Sequence, residues 1–259
     1  MRRLIIEEPY SRPAKWSPVI AWFAMAVALI SVLLIRFRHV DYAAGFVSLG
    51  VGLFLATLAI LLAVIAFLRI WQEGRRGLSS AIQGLLLGAL VLAYPSWFAV
   101  QAVLLPPIND ITTDTDNPPA FSLSRAVLDA RGGRVPPDVP PEVREAQRDA
   151  YAQIAPLTLD VGPDEAFELV RKAAANRGWQ IVEAVKPGGR LGIGRLEAVD
   201  RTFLLRLPDD VTVRIRPRAD GTRIDVRSAS RMGNHDLGAN ARRIRAFFDE
   251  LSALAIASI

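Results

Sequence analysis

The chain has 259 residues, 51% of them hydrophobic, with a mean hydropathy of +0.27 and a formal net charge of +5. Three stretches, 19–35, 43–68 and 78–105, contain no Asp, Glu, Lys or Arg, so every charged side chain falls in the remaining 188 positions, at about 30%, the density of a solvated surface. This excludes a single soluble globule and divides the chain into a membrane part and a water-facing part.

There is no cysteine, which excludes disulfides, thiolate metal sites and cysteine nucleophiles. Residues 106–259 hold 22 basic and 22 acidic side chains. The excess positive charge therefore belongs to the membrane flanks, and no nucleic-acid partner is expected.

Residues 1–15 form a short leading segment, and 16–105 a membrane domain with three helices at about 19–35, 43–68 and 78–105. The second and third are long enough to cross a bilayer with some tilt. Trp16, Trp71 and Trp97 lie near span ends, where indole rings settle at the headgroup level. Arg36-Phe37-Arg38 follows the first apolar run where a signal peptidase would need small residues, so that run is expected to be retained.

Arg2, Arg3, Arg12 and Lys15 precede span one, and Arg69, Arg75 and Arg76 separate spans two and three. Only Arg36 and Arg38 lie on the other side. Seven cations against two predict a cytoplasmic N-terminus and a far-side C-terminal domain, which in a bacterial inner membrane is periplasmic. Gly84 and Gly88 on span three, and Ser48 and Gly52 on span two, have the spacing of helix–helix contacts. Pro95 should kink span three. The spans hold no ionisable side chain, which argues against transport.

Residues 106–141 are dense in Pro, Gly, Asp and Thr and read as an extended linker. The domain proper, 142–259, begins with a helix from Pro141 that carries Val143, Ala146, Ala150 and Ile154 on one stripe. A strand at 157–161 precedes a helix opened by Gly162-Pro163-Asp164-Glu165 and closed by Gly178. Strands are expected at 179–185, 191–198, 203–207, 211–217 and 222–228, then a last helix at about 237–254 capped by Asp236. This order predicts an α+β fold, a two-layer antiparallel sheet and helix sandwich.

A two-residue turn at Asp220-Gly221 would pair Ile215 with Val226 on the core side. On the other face it sets Arg214 opposite Arg227, Arg218 opposite Arg223, and Arg216 opposite Asp225. Like charges across a ladder need an anionic cover. That cover is either the acidic 110–116 segment or a bound phosphate, carboxylate or lipid headgroup; otherwise the arginines splay into solvent.

The segment DVRSASRMGNHDLGANARRI, 225–244, resembles the signature of an uncharacterised family catalogued as domain of unknown function 1499, found in bacteria and plastid-bearing organisms. The family pattern reads roughly R-S-x-S-R-x-G-x-x-D-x-G-x-N-x-x-R-I, preceded by an Asp-Asp-Val that Asp209-Asp210-Val211 matches. The resemblance covers roughly 109–254 and implies a domain preceded by membrane spans, with no established activity. Many members carry a cysteine near the start of the domain; here Asn109 is followed by Asp110, so no role of that cysteine transfers.

In this motif a strand runs into a helix start, where Arg227, Arg231 and Arg243 are expected to converge. With Ser228, Ser230, Asp236 and Asn240 they make either an anion site on free N–H groups or a structural network with Asp209, Asp210 and Asp236. The network is the preferred reading.

His235 beside Ser228, Ser230 and Asp236 invites a hydrolase reading, but adjacent His and Asp side chains diverge and Asp236 is wanted as a cap. His39 and Asp41 read as an interfacial polar pair. Asp110, Asp114 and Asp116 suggest calcium, yet an EF-hand would need Gly at Thr115 and Glu at Phe121. Gly189, Gly192 and Gly194 precede no helix and make no nucleotide loop.

No cofactor or metal is expected. The reading is a membrane-anchored periplasmic binding or scaffold module of the cell envelope, with lipid headgroups or envelope proteins as partner classes. The alternative is an envelope hydrolase or lipid-handling enzyme using the Ser/Arg/Asp motif of 225–244.

Overall fold

A computed structural model describes residues 8–189 and 192–257. Arg2, Arg3, the start of the strand expected at Leu191, and Ile259 lie outside the described residues. The chain folds as two compact units, a mainly helical one of residues 1–100 with Leu204–Arg206, and a second of residues 101–203 and 207–259.

The helical unit contains α1 (Arg12–Arg36), α2 (Tyr42–Glu73) and α3 (Leu78–Leu104), each long and apolar enough to cross a membrane. Gly74, at φ +64°, ends α2 in the left-handed conformation that side chains disfavour. α3 continues through Pro95.

The buried residues here are almost all small: Ala14, Ser17, Ala21, Ala24 and Ser31 in α1, Gly45, Gly52, Ala56, Ala59, Ala63 and Ala66 in α2, and Ala81, Gly84 and Gly88 in α3. Trp22, Phe23, Phe54, Leu86 and Leu90 point outward. In lipid, apolar side chains gain nothing by leaving the solvent, so small residues that let backbones approach make the interfaces. Ser17 donates its hydroxyl to the Ala59 carbonyl at 2.9 Å and packs against Gly84; Ser31 and Ser48 share a hydrogen bond of 2.7 Å. Gly52 lies against the Ala28 backbone, and Gly88 against Ala56 and Ile60.

The second unit runs β1 (Asp110–Thr112), α4 (Arg125–Ala130), α5 (Pro141–Ala150), β2 (Leu157–Leu159), α6 (Pro163–Asn176), β3 (Gln180–Val185), β4 (Gly194–Arg201), β5 (Pro208–Arg218), β6 (Gly221–Ser230) and α7 (Ala239–Ala257). The sheet is antiparallel, in the order β1-β6-β5-β4-β3, and β2 pairs with the other end of β6. The fold is α+β, as expected.

Strand alternation turns Leu196, Ala198, Val211, Val213, Ile215, Ile224 and Val226 onto one face. There they bury against Phe167, Val170 and Ala173 of α6 and Ile244, Phe247 and Leu251 of α7. Trp179 stacks on Phe247 with ring centroids 4.7 Å apart.

Four sequence expectations are corrected. Residues 203–207 form a turn between β4 and β5, not a strand. Its ends are tied by Thr202, whose N–H reaches the Leu207 carbonyl and whose hydroxyl accepts the Leu207 N–H, both at 2.9 Å. Arg206 sits within it at φ +53°.

The β5–β6 register is offset by two residues, pairing Ile215 with Ile224, Arg214 with Asp225 and Arg216 with Arg223. The turn is Ala219-Asp220. Gly221 instead begins β6, where it packs against the Leu159 carbonyl of β2 and a side chain would collide. An even offset keeps every side chain on its face, so the core assignment survives.

Residues 106–141 are no extended connector: they supply β1 and α4, and bury Ile108, Ile111, Thr112, Phe121 and Val127. Gln147 of α5 holds β1 by accepting the Thr112 N–H at 3.1 Å and donating to its carbonyl at 2.6 Å. Finally, α7 starts at Ala239, because Leu237 and Gly238 are left-handed at φ +54° and +75°.

Candidate functional site

The alternation that builds the apolar core turns Glu197, Asp210, Thr212, Arg214, Arg216, Arg223, Asp225 and Arg227 to the opposite face of the sheet. The segment between β1 and α5 lies over that face and seals much of it. Arg131, just past α4, is inserted there with a side chain only 2% exposed. It donates to Glu197 at 2.6 Å and to the Ser122 carbonyl at 3.4 Å, and its Nε forms an ion pair with Asp210 at 3.2 Å. Glu197 is fully buried and also accepts the Ser122 N–H at 2.8 Å and the Thr212 hydroxyl at 3.0 Å. Burial pushes the Glu197 carboxyl above the usual carboxylate range, with Arg131 the main opposing charge.

Arg227 grips Asp110 through two parallel hydrogen bonds of 3.0 and 2.8 Å and donates to the Pro137 carbonyl at 2.7 Å. Burial also raises the Asp110 carboxyl, against the Arg227 bonds. The Arg131 and Arg227 guanidinium groups lie 4.5 and 4.9 Å from the centroid of the Phe121 ring, which shields both. Arg231 donates to Asp210 at 2.8 Å and to the Ala130 carbonyl at 3.1 Å.

Further along this face, Arg214, Arg216 and Arg223 share two carboxylates. Asp225 lies 3.2, 2.8 and 2.9 Å from them, and Asp114 3.2, 3.1 and 2.9 Å. Asp114 is the anionic cover that the arginine ladder requires, delivered by the segment after β1. Burial pushes its carboxyl up, but the Asn117 N–H and Arg223, Arg214 and Arg216 outweigh burial and hold it below the ordinary range. Arg218 is exposed at the hairpin end.

On the helix-covered face the register sets Asp209 opposite Ser230 and Val211 opposite Ser228. Arg243 of α7 reaches this row: it pairs with Asp209, with Asp200 at 2.6 Å and with the Ser228 hydroxyl at 3.0 Å. Burial raises the Asp209 carboxyl, with Arg243 opposing; burial lowers the Arg243 pKa, but Asp209 and Asp200 outweigh it and raise it overall. Asn240 accepts the Ser228 hydroxyl at 2.8 Å and donates to Ser230 and to the Asn109 carbonyl, both at 3.0 Å.

The three signature arginines therefore do not converge. Consecutive strand residues point to opposite faces, so Asp210 takes Arg231 on one side of the sheet while Asp209 takes Arg243 on the other. The alternative reading, an anion site at the helix start, finds its N–H groups filled from within: Asp236 accepts the Gly238 and Asn240 N–H groups, both at 2.8 Å. His235 accepts the Leu237 N–H on Nδ1 at 3.0 Å, and its Nε2 lies 3.2 Å from the Leu105 carbonyl. Neither serine of the motif is hydrogen-bonded to it among the described residues. Asp110, Asp114 and Asp116 are separately engaged by Arg227, the arginine trio and Arg148, and the described residues contain no acidic or histidine cluster suited to a metal.

One part of the motif stays open. A cleft of about 360 Å³ lies at the end of β6, with Asp110, Asp210, Ser230, Arg231 and Asn234 on one side and the proline-rich 134–140 stretch on the other. Sequence reasoning missed Arg131, Glu197 and Asn109. Glu197 carried a usable signal, since it shares strand parity with Arg195 and is opposite in parity to the core residues Leu196 and Ala198. Arg131 carried none, being placed by a segment read as a linker.

A comparison with curated proteins found no match. A family profile described as protein of unknown function (DUF1499) matches residues 110–251, from the first residue of β1 into α7. That span covers more than half of the chain and contains both faces of the sheet and the segment that seals the charged one. By this match, the chain belongs to the DUF1499 family.

Proposed function

We propose that this protein is a membrane-anchored binding module of the cell envelope, with its α+β domain on the periplasmic side of a bacterial inner membrane and a ligand held in the cleft at the end of β6. The observation that carries the reading is the cleft itself. Nearly all of the signature's polar groups are consumed in buried pairs, and it is here that Ser230, Arg231 and Asn234 reach solvent beside Asn109. The cleft offers a guanidinium and side-chain amides against a proline-rich wall that carries Val135 and Val139 together with Arg134 and Asp138. Such a mixed lining suits recognition, where a few fixed polar groups orient a ligand on apolar surface.

The flanking cations support the far-side placement through the positive-inside rule. The engagement of His235 with backbone groups argues for binding over hydrolysis, which needs a base aimed at a nucleophile.

Native mass spectrometry of the full chain, released from lipid nanodiscs after gentle purification, tests the proposal. The expected result is a bound adduct that disappears in Val135→Trp, which fills the cleft from its exposed wall, and persists in Asp220→Trp at the distant hairpin turn. No adduct on the wild type, or the same adduct mass increment on the wild type and Val135→Trp, would contradict it.

A further inference from the structure

Strand β1 has one edge against β6 and one edge open, and the ladder says which of its groups face outward. Ser230 donates its N–H to the Asn109 carbonyl at 2.8 Å, and Thr113 donates to the Val226 carbonyl at 2.9 Å. With Ile111 opposite Ser228 between them, these are the hydrogen-bonded pairs of an antiparallel ladder. The N–H and C=O of Asp110 and of Thr112, which alternate with them, therefore point away from β6.

Thr112 is provided for. One side-chain amide, that of Gln147 in α5, takes both its N–H and its carbonyl, as a residue of a neighbouring strand would. Two residues before Asp110, Ile108 gives its N–H to the Pro106 carbonyl at 2.8 Å and accepts the Asp236 N–H at 3.0 Å. Between them, Asp110 has no partner for either backbone group among the described residues, although it is only 8% exposed. Buried backbone groups without partners are rare, because each forfeits its hydrogen bonds to water. The helix shows why this pair is left open. Val143 lies one turn before Gln147 on the same face of α5, and its side chain has no amide to offer. Both Asp110 and Val143 line the cleft at the end of β6.

We propose that the ligand of this cleft, whose presence rests on the binding reading above, is a peptide, one extended residue of which pairs antiparallel with Asp110. A lone trans amide points its N–H and C=O in opposite directions and meets only one of the two open groups. An extended residue sends its own N–H and C=O out on one edge, so two such residues facing each other exchange both bonds. Open strand edges recruit peptides in this way: backbone hydrogen bonds give affinity, and adjoining pockets choose the side chains. Here the opening is one residue wide, closed by Gln147 on one side and by the Ile108–Asp236 bond on the other. Val135, Val139 and Val143 beside it suit a small apolar side chain.

Asn109-Asp110 is the one Asn-Asp step in the chain. Full-length protein with asparagine labelled at its carbonyl carbon and aspartate at its amide nitrogen, held in lipid nanodiscs, therefore gives a single carbonyl–amide NMR correlation, that of the Asp110 N–H. The probe is an acetylated, amidated Thr-Val-Thr-Val-Thr peptide, with its fully N-methylated analogue as control. At millimolar peptide the Asp110 signal should shift and its exchange with water should slow about five-fold, the change that one hydrogen bond of ordinary net strength produces. The N-methylated analogue, and the peptide added to Val135→Trp, should do neither. A signal that the peptide leaves unmoved overturns the peptide inference; if Val135→Trp still abolishes the native adduct, the cleft itself stands. An equal response to the N-methylated analogue overturns the backbone pairing, and a response that survives Val135→Trp overturns its placement in the cleft.

Discussion

Replacing Arg131 by alanine removes the cation that serves two buried carboxylates at once. Its side chain is 2% exposed, as is that of Asp210, and Glu197 is 1% exposed. Asp210 retains Arg231 at 2.8 Å, whereas Glu197 keeps only the Ser122 N–H, the Thr212 hydroxyl and, at 3.7 Å, Arg195. Removing one member of a buried ion pair costs about 3–5 kcal/mol, because the other charge is left without compensation. For a unit of this size each kcal/mol lowers the melting temperature by about 2–4 °C, so Arg131→Ala should fall by roughly 10 °C.

The deficit should also depend on pH. Burial already raises the Glu197 carboxyl, and Arg131 is the leading charge that counters it. Without Arg131 the folded-state pKa rises further above the unfolded value. Protonation then relieves the variant at low pH, and that relief is lost as pH rises through the folded pKa. Differential scanning calorimetry of the full chain in nanodiscs should show a smaller deficit at pH 5 than at pH 8. A shift of less than about 2 °C at both values would refute the claim that this face of the sheet is a sealed ionic layer.

Asp114→Asn should cost about 2 kcal/mol by weakening three arginine contacts at once. Because the Asp114 carboxyl is held below its ordinary range, its contribution is present above the unfolded pKa and lost as pH falls through the folded one. The gap from wild type should hold between pH 8 and 5 and close only below about pH 4, measured by thermal melts across pH. Asp236→Ala removes the cap on two N–H groups of α7 and should cost about 1–2 kcal/mol in the same melts. Gly84→Leu should sharply lower the detergent resistance of the helical unit by driving a side chain into Ser17, while Gly50→Leu, with nothing within 4 Å, should not. Equal behaviour of the two would contradict the small-residue packing of the spans.

Much of the architecture was legible because its signals are local. Charge-free stretches mark the spans, and period-two alternation marks β4, β5 and β6. The helix contacts were legible in more detail than the glycine pairs suggest. Ala14 and Ala21, Ser17, Ala24 and Ser31, and Gly45, Gly52, Ala59 and Ala66 each recur every seven residues, and all are buried. A seven-residue repeat of small residues is the mark of close helix packing in lipid.

What was not legible depends on partners distant in sequence. The stretch 106–141 has the composition of a linker, yet it pairs with β6 and covers the arginines because Asp110 and Asp114 have partners 100 or more residues away. Residues 203–207 look like a strand because a short apolar run reads as one, while the left-handed Arg206 and the Thr202–Leu207 pairing that close the turn leave no mark in it. The arginine motif was misplaced for a simpler reason. Arg227 and Arg231 share a strand face, while Arg243 approaches from a helix on the opposite side, and only the register of Asp209 and Asp210 separates them.

Every partner proposed for the domain depends on the side of the membrane it faces, and a pair of reporter fusions after Ile259 tests this most directly. The account predicts an active alkaline phosphatase, which folds only in an oxidising space outside the cytoplasm, and a dark cytoplasmic fluorescent reporter at the same position. An inactive phosphatase with a bright fluorescent fusion would contradict the placement of the domain and the envelope role built on it.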